Sequence, residues 1–282
     1  MKVDLPDTAT DLIVLAYAED LGTEGDITTS SVTDPRTRSV GRVVARQSGC
    51  IAGLGIAGAC FTYVDRDVEV ELHCNDGDYV EAGTSLLTVS GMTASILTAE
   101  RVALNFLGWL SGIATATNTY VRAVEGTEAV VSDTRKTTPG MRTLERYAVS
   151  MGGGRNHRFG LFDAVLIKDN HLATAASIAH TVEAARTAVG PEITVEVEVD
   201  TIAQLEQVLD TDADVVLLDN MTIEDLAEAV RLVDGRLITE ASGGVTLETI
   251  SDIARTGVDV ISTGWITHSA PALDVALDLD PH

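Results

Sequence analysis

Lysine is nearly absent: only Lys2, Lys136 and Lys168 occur among 282 residues, against sixteen arginines. Cysteine is scarce as well. Cys50, Cys60 and Cys74 are odd in number, lack CxxC spacing and have no histidine cluster nearby, which excludes a disulfide framework or a zinc site and leaves buried thiols. With 6 prolines, 24 glycines and 45% hydrophobic residues, the chain is neither disordered nor collagen-like and suits one large or two modest globular domains. No apolar run reaches the ~18 residues of a membrane span. The start, MKVDLPDTAT, lacks the basic and apolar stretches of a signal peptide, so a cytoplasmic protein is expected. Neither GxGxxG ahead of a first βαβ helix nor GxxxxGK[ST] is present, so dinucleotide or P-loop ATP chemistry is not indicated.

Acid is in excess. Asp and Glu number 43 against 19 Lys and Arg, a formal net charge of -24. Such a surface repels nucleic acid and anionic membranes, and both partner classes are excluded. An acid-rich, lysine-poor exterior is expected of a halophilic protein, because molar salt screens charges over roughly 3 Å and removes the self-repulsion.

The positive charge is concentrated. Between residues 135 and 168 lie Arg135, Lys136, Arg142, Arg146, Arg155, Arg158 and Lys168, seven cations against the two acids Glu145 and Asp163. The surrounding DTRKTTPGMR and GGGRNHRFG are Gly-, Thr- and Pro-rich and read as loops. Loops that mix cations with exposed backbone N–H groups hold anions, so a ligand with several negative charges is expected. His157 sits inside this stretch and His171 just after it; neither has the serine or cysteine neighbours of a catalytic triad.

Residues 128–265 alternate short β-branched runs with amphipathic helices. Strands are expected at 129–132, 164–167, 193–199, 215–218, 237–239 and 258–262, the last four starting about twenty-two residues apart. Thr201 three residues before Gln204, and Thr222 three before Asp225, mark helix starts. Every strand ends in polar residues: Asp133–Lys136, Lys168–His171, Glu198 and Asp200, Asp219 and Asn220, Glu240 and Ser242, Thr263 and Gly264. A barrel gathers all such ends at one mouth, whereas an open sheet gathers two or three. About 150 residues are too few for a full eight-unit barrel of ~250, so a short barrel incomplete on one side is expected. The first ~110 residues differ: a helix near 8–18, strands near 41–46 and 68–72, and turn-rich NDGDYVEAGTSLLTVSG describe a separate α/β domain. A long apolar helix near 93–120 joins the two.

Glu198 and Asp219 end adjacent expected strands. Two carboxylates at a barrel mouth beside cations suit a Mg²⁺ bridging a diphosphate; general acid–base work and plain salt bridges are the alternatives. Glu240-Ala-Ser-Gly-Gly244 and Ser262-Thr-Gly264 each follow a strand and lead into a helix, as phosphate-binding turns do.

The runs EDLGTEGDITT, AERVALNFLGWLSGIAT, DTRKTTPGMRTLERYAVSMGGGRNHRFGLFDAVLIKDNH, VEVEVD, LLDNM, EASGGV and GVDVISTGWITHS together resemble the quinolinate phosphoribosyltransferase family. The resemblance covers nearly the whole chain in order. It implies an N-terminal α/β sandwich (1–110), an open-faced α/β barrel (111–270) and a tail (271–282) returning to the first domain. It implies transfer of phosphoribose from 5-phosphoribosyl diphosphate to quinolinate, with loss of CO2 and diphosphate, giving nicotinate mononucleotide, and Mg²⁺ as cofactor. It also implies a homodimer or hexamer whose sites are shared between subunits. Carried over by position, Arg135, Arg158 and Lys168, with His157, resemble the quinolinate clamp, and Arg101 the arginine supplied by a neighbouring subunit. Lys136, Glu198 and Asp219 resemble the groups around phosphoribosyl diphosphate and its metal. Ser242, Gly243, Gly264 and His268 resemble the phosphate-binding turns. Gly108-Trp109, Val245 and Trp265-Ile266 depart from the pattern at packing positions. A related enzyme acting on nicotinate, or a noncatalytic anion-binding module, are the competing readings; the module leaves Glu198 and Asp219 unexplained.

The charge reading has its own test. The midpoint of thermal unfolding is expected to rise between low and molar KCl; a midpoint that stays level or falls contradicts adaptation to salt.

Overall fold

The computed structural model describes residues 7–280; Lys2 and the outermost residues of both expected end segments lie outside the described residues. In chain order the elements are α1 (Asp7–Leu21), α2 (Ile27–Val32), β1 (Arg38–Ala45), β2 (Gly49–Cys50), α3 (Leu54–Val64), β3 (Glu69–Leu72), β4 (Tyr79–Val80), β5 (Ser85–Met92), α4 (Thr93–Ala123) and β6 (Val130–Ser132). There follow α5 (Arg142–Met151), β7 (Val165–Ile167), α6 (Asp169–Leu172), α7 (Ile178–Val189), β8 (Val195–Val199), α8 (Ile202–Val208) and β9 (Val215–Asp219). The chain ends with α9 (Ile223–Val233), β10 (Ile238–Ser242), α10 (Ile250–Arg255), β11 (Val260–Ser262), α11 (Trp265–His268) and β12 (Val275–Leu279). No described helix is long and apolar enough to cross a membrane.

Two compact units emerge among the described residues: 7–118 with 139–153 and 270–280, and 119–138 with 154–269. The first is built on an antiparallel sheet in the order β12-β1-β5-β3. Leu86, Leu87 and Val89 of β5 and Phe61 of α3 are fully buried in its core. Helix α4 buries Ile96, Ala99, Ala103, Leu107, Leu110, Ile113 and Ala114, spaced three or four apart as one helical face requires. The chain beyond residue 270 crosses that helix where it has no side chains: a Cβ on Gly112 would lie 2.1 Å from the Pro271 carbonyl oxygen, and Leu273 donates its N–H to the Gly108 carbonyl at 2.8 Å. β12 then pairs along the outer edge of β1, from Ala45 opposite Val275 to Gly41 opposite Leu279.

The second unit is a six-stranded parallel sheet in the order β6-β11-β10-β9-β8-β7, with helices between successive strands. The fold is α/β, as expected. The two predicted helix starts are real caps: Thr201 accepts the Gln204 N–H and Thr222 accepts the Asp225 N–H. Strand β10 runs on to Ser242, three residues past its expected end. β6 and β7 are the sheet's edges, and among the described residues they do not pair with each other. Residues 155–164 span that open side. Arg155 donates its N–H to Val131 of β6 at 2.8 Å, and Arg158 Nη1 donates to the carbonyl of Ala164, just before β7, at 3.0 Å.

Register decides what lines the inside. Side chains alternate along a strand, so residues paired across the sheet share a face. Leu166 pairs with Glu196, Glu196 with Val215, and Glu198 with Leu217. Leu217 pairs with Glu240, Asp219 with Ser242, Glu240 with Val260, and Ser262 with Ser132. The alternate set, Ile167, Val195, Val197, Val199, Val216, Leu218, Ala241 and Ile261, is buried on the opposite face, which the helices cover.

Helix α5 lies between the two expected loops, 133–142 and 152–160, in a stretch for which no element was expected. Leu144, Ala148 and Val149 form a buried face, but the run is only ten residues long and is flanked by Pro139-Gly140 and three glycines, so turn signals mask it.

Candidate active site

The inner face of the parallel sheet opens into a pocket of about 340 Å³, within the range of small-molecule sites. Arg135, Lys136, His157, Arg158, Lys168, Glu198, Asp219 and Ser242 line it, together with Glu240 and Ser262. Its charges are sorted by origin. The cations come from the ends of the edge strands β6 and β7 and from the segment between them; the carboxylates come from the central strands β8, β9 and β10.

The contiguous basic stretch does not form one cationic cup. Arg142 and Arg146 lie on α5 in the first unit, while Arg155 is exposed on the segment that follows β6. The four cations that line the pocket face three lining carboxylates. Lys168 Nζ is ion-paired with Glu198 Oε2, so one of each is already matched. Arg158 is different: burial, and then the like charge of Arg135, hold its pKa below the usual guanidinium value. Two like charges held close in a partly desolvated place are an arrangement that a bound anion would relieve.

Backbone packing aims these groups. Asp133, fully buried at the end of β6, accepts the His157 N–H at 2.7 Å and fixes the segment bearing Arg158. Lys136 donates its N–H to Thr134 Oγ1 at 3.1 Å, and its carbonyl accepts Thr267 Oγ1 at 2.8 Å. Its side chain runs against Gly264, where a Cβ would lie 2.8 Å from Lys136 Cδ. Gly264 therefore makes room for the lysine. His268 is on α11, its Nδ1 2.6 Å from Ser269 Oγ. His171 Nδ1 accepts the Lys168 N–H at 2.9 Å and caps α6. Arg101 is on α4 in the first unit, exposed, with Glu100 3.8 Å away.

Gly243 performs a similar service. Its φ is +85°, and a Cβ there would lie 2.3 Å from Asn220 Oδ1. The Asn220 amide donates to Asp219 Oδ2 at 2.7 Å, and its backbone N–H reaches Ser242 at 2.9 Å. Asn220, itself at φ +53°, thus orients Asp219, a role that naming it as a polar strand end did not foretell.

Glu196 was missed altogether. It is 4% exposed on β8, and His157 Nε2 lies 3.3 Å from its Oε2 and 3.4 Å from Oε1 of equally buried Glu240. Burial alone favours a neutral imidazole, and hydrogen bonds and charge from the two acids oppose it by pulling the His157 pKa up. Burial raises the pKa of Glu196 too. Because His157 and Glu196 interact, the two shifts belong to the pair rather than to either residue alone. Since His157 Nδ1 accepts the Arg158 N–H at 2.7 Å, the ring hydrogen that faces the acids is on Nε2. A sequence signal existed: VEVEV interrupts what should be a continuous apolar strand in a parallel sheet.

Two sets of groups have cation-binding chemistry. Glu198 and Asp219 offer hard oxygen ligands at the pocket wall, with room for a ligand's own oxygens. His157, Glu196 and Glu240 bring their ligand atoms within 4.8 Å of one another.

Comparison with known proteins agrees along the whole chain. Residues 26–111 match the quinolinate phosphoribosyl transferase N-terminal domain, and residues 113–278 the C-terminal domain. The chain is 43% identical over 281 residues to nicotinate-nucleotide pyrophosphorylase [carboxylating] of Mycobacterium leprae, covering 97% of this chain and 98% of that protein. It is 41% identical over 263 residues to the probable enzyme of that name from Bacillus subtilis, covering 93% and 90%. The solved nicotinate-nucleotide pyrophosphorylase of Francisella tularensis superposes with a TM-score of 0.94 at 38% identity, covering 98% of each chain.

Gly243→Ala is expected to cost about 1–3 kcal/mol, from the positive φ together with the clash at Asn220. Gly244→Ala, at φ +59° with Asn220 Oδ1 3.9 Å away, is expected to cost less. Urea unfolding of both variants decides: equal losses would show that displacement of Asn220 is not the cause.

Proposed function

The chain belongs to the quinolinate phosphoribosyltransferase family, and we propose on that footing that its pocket condenses quinolinate with 5-phosphoribosyl diphosphate to nicotinate mononucleotide, CO2 and diphosphate, a step of NAD biosynthesis. The observation that carries this reading is the pair Arg135 and Arg158, two cations set against each other at a pocket whose far wall carries carboxylates. Quinolinate is a dianion, and phosphoribosyl diphosphate carries still more negative charge. Binding both in one site without matching cations is prohibitive. Each desolvated charge-assisted hydrogen bond contributes ~1.5–3 kcal/mol.

We assign Arg135, Arg158 and Lys168 to the quinolinate carboxylates, with His157 beneath them. Lys136, Ser242, Gly243, Gly264 and His268 are assigned to the phosphates. As the bond from ribose C1 to diphosphate breaks and the bond to the ring nitrogen forms, Glu198 and Asp219 face the positive charge that develops at C1. The resulting positive ring nitrogen stabilises the electron pair left on the adjacent carbon when its carboxylate departs as CO2, and that carbon then takes up a proton from water, so decarboxylation asks of the protein little beyond positioning. Glu198 and Asp219 fit a Mg²⁺ that takes its other ligands from phosphate and water. Such an ion supplies charge neutralisation to the departing diphosphate.

Arg101 we assign to a neighbouring subunit's site, in an oligomer of at least two chains; its exposure in the first unit supports that role. The acid-rich composition supports work in a cytoplasm of high salt.

Incubation with Mg²⁺, phosphoribosyl diphosphate and quinolinate is expected to release CO2 and form the mononucleotide. Turnover of nicotinate alone, without CO2, would establish the competing substrate. Arg135→Ala and Lys168→Ala are each expected to lower kcat/KM about tenfold to a hundredfold, raising the quinolinate KM and lowering kcat. Unchanged kinetics in both would remove them from the site.

Mixing the impaired Arg101→Ala and Lys168→Ala subunits is expected to raise activity above that of either variant alone. Failure to do so, in mixtures shown to exchange subunits, rules out a shared site.

A further inference from the structure

Glu196 and Glu240 stand on β8 and β10, either side of β9, with the His157 ring between them. Both carboxylates are 4% exposed; Oε1 of Glu196 is buried without a hydrogen-bond partner, and Oε1 of Glu240 has only the ion-pair contact to His157 Nε2 at 3.4 Å. Acids so deeply buried and so incompletely satisfied are costly, and a well-packed apolar pair would serve the sheet as well. What they touch explains them. Nε2 faces the two acids, Nδ1 accepts the Arg158 N–H at 2.7 Å, and the His157 N–H is held by Asp133 at 2.7 Å. The imidazole is thereby a strut between the sheet's inner face and the backbone of Arg158, whose guanidinium lines the pocket.

We propose that Glu196 and Glu240 are positioning residues that hold Arg158 in place through His157. Neither touches the reacting atoms in this scheme. With the two acids facing it at 3.3 and 3.4 Å, Nε2 is the ring nitrogen that keeps the hydrogen, and the other nitrogen then accepts from the Arg158 backbone. Neutral Met in place of either Glu keeps length and removes the acceptor, whereas Gln keeps both. Any effect of lost charge or altered packing is common to the two, and a difference between them isolates the hydrogen bond.

The inference rests on the proposed activity for its kinetic arm and is independent of it in the spectroscopic arm. Glu196→Met and Glu240→Met are expected to raise the quinolinate KM roughly tenfold, with the phosphoribosyl diphosphate KM changed less than twofold, while Glu196→Gln and Glu240→Gln recover most of the difference. Equal kinetics for Met and Gln variants would overturn the proposal, as would equal rises in both KM values. Imidazole ¹⁵N spectra, with His157 identified by its loss in His157→Asn, are expected to show hydrogen at Nε2 in the wild type and both Gln variants, and mixed tautomers in the Met variants. A wild-type ring protonated at Nδ1, or a tautomer insensitive to Met, overturns it whatever the enzyme turns over. Absence of wild-type turnover with quinolinate would refute the proposed activity alone.

Discussion

Alternation along parallel strands is the constraint on which the rest of the site depends. Because Glu196, Glu198, Leu217, Asp219, Glu240, Ser242 and Ser262 share one parity in the registered sheet, they face a common interior, while the valines between them meet the helices. A slip of one residue in any strand would exchange these sets, burying carboxylates against apolar helices. The pressure of that penalty holds the register. The open side then follows: with only six strands, the edges β6 and β7 are bridged by the segment carrying His157 and Arg158, and the cations of both edges enter the cavity.

Much of this was legible in the residues. The strand spacing and the caps at Thr201 and Thr222 depend on local chemistry, and they specify the βα repeat. Polar strand ends identified Lys168, Glu198 and Asp219 for the same reason. Long-range partnerships were not legible. Nothing in the sequence tells that Lys168 meets Glu198, that Gly243 leaves space for Asn220, or that Arg142 and Arg146 fall on a helix of another unit. Charge counted along the chain overstated the cationic character of the cavity, because three carboxylates from distant strands share it.

Glycine has a specific meaning here. Gly264 and Gly243 do not merely permit turns: each admits a neighbour's side chain, Lys136 in one case and Asn220 in the other. Positions that looked like phosphate-binding backbone thus also shape the side chains beside it.

The strand closing the first unit's sheet comes from near the chain's far end. β12 covers the edge of β1 and is tied there by Arg42 to Asp280 and by Arg46 to Asp278, partners separated by more than 230 residues. During synthesis, β1, β5 and β3 emerge long before that strand does, so the outer hydrogen-bonding edge of β1 stays bare while the whole barrel is being made. Nascent chains stalled short of residue 275 would present a sticky template for one another, which makes translation speed, or a chaperone's grip on that edge, a determinant of yield.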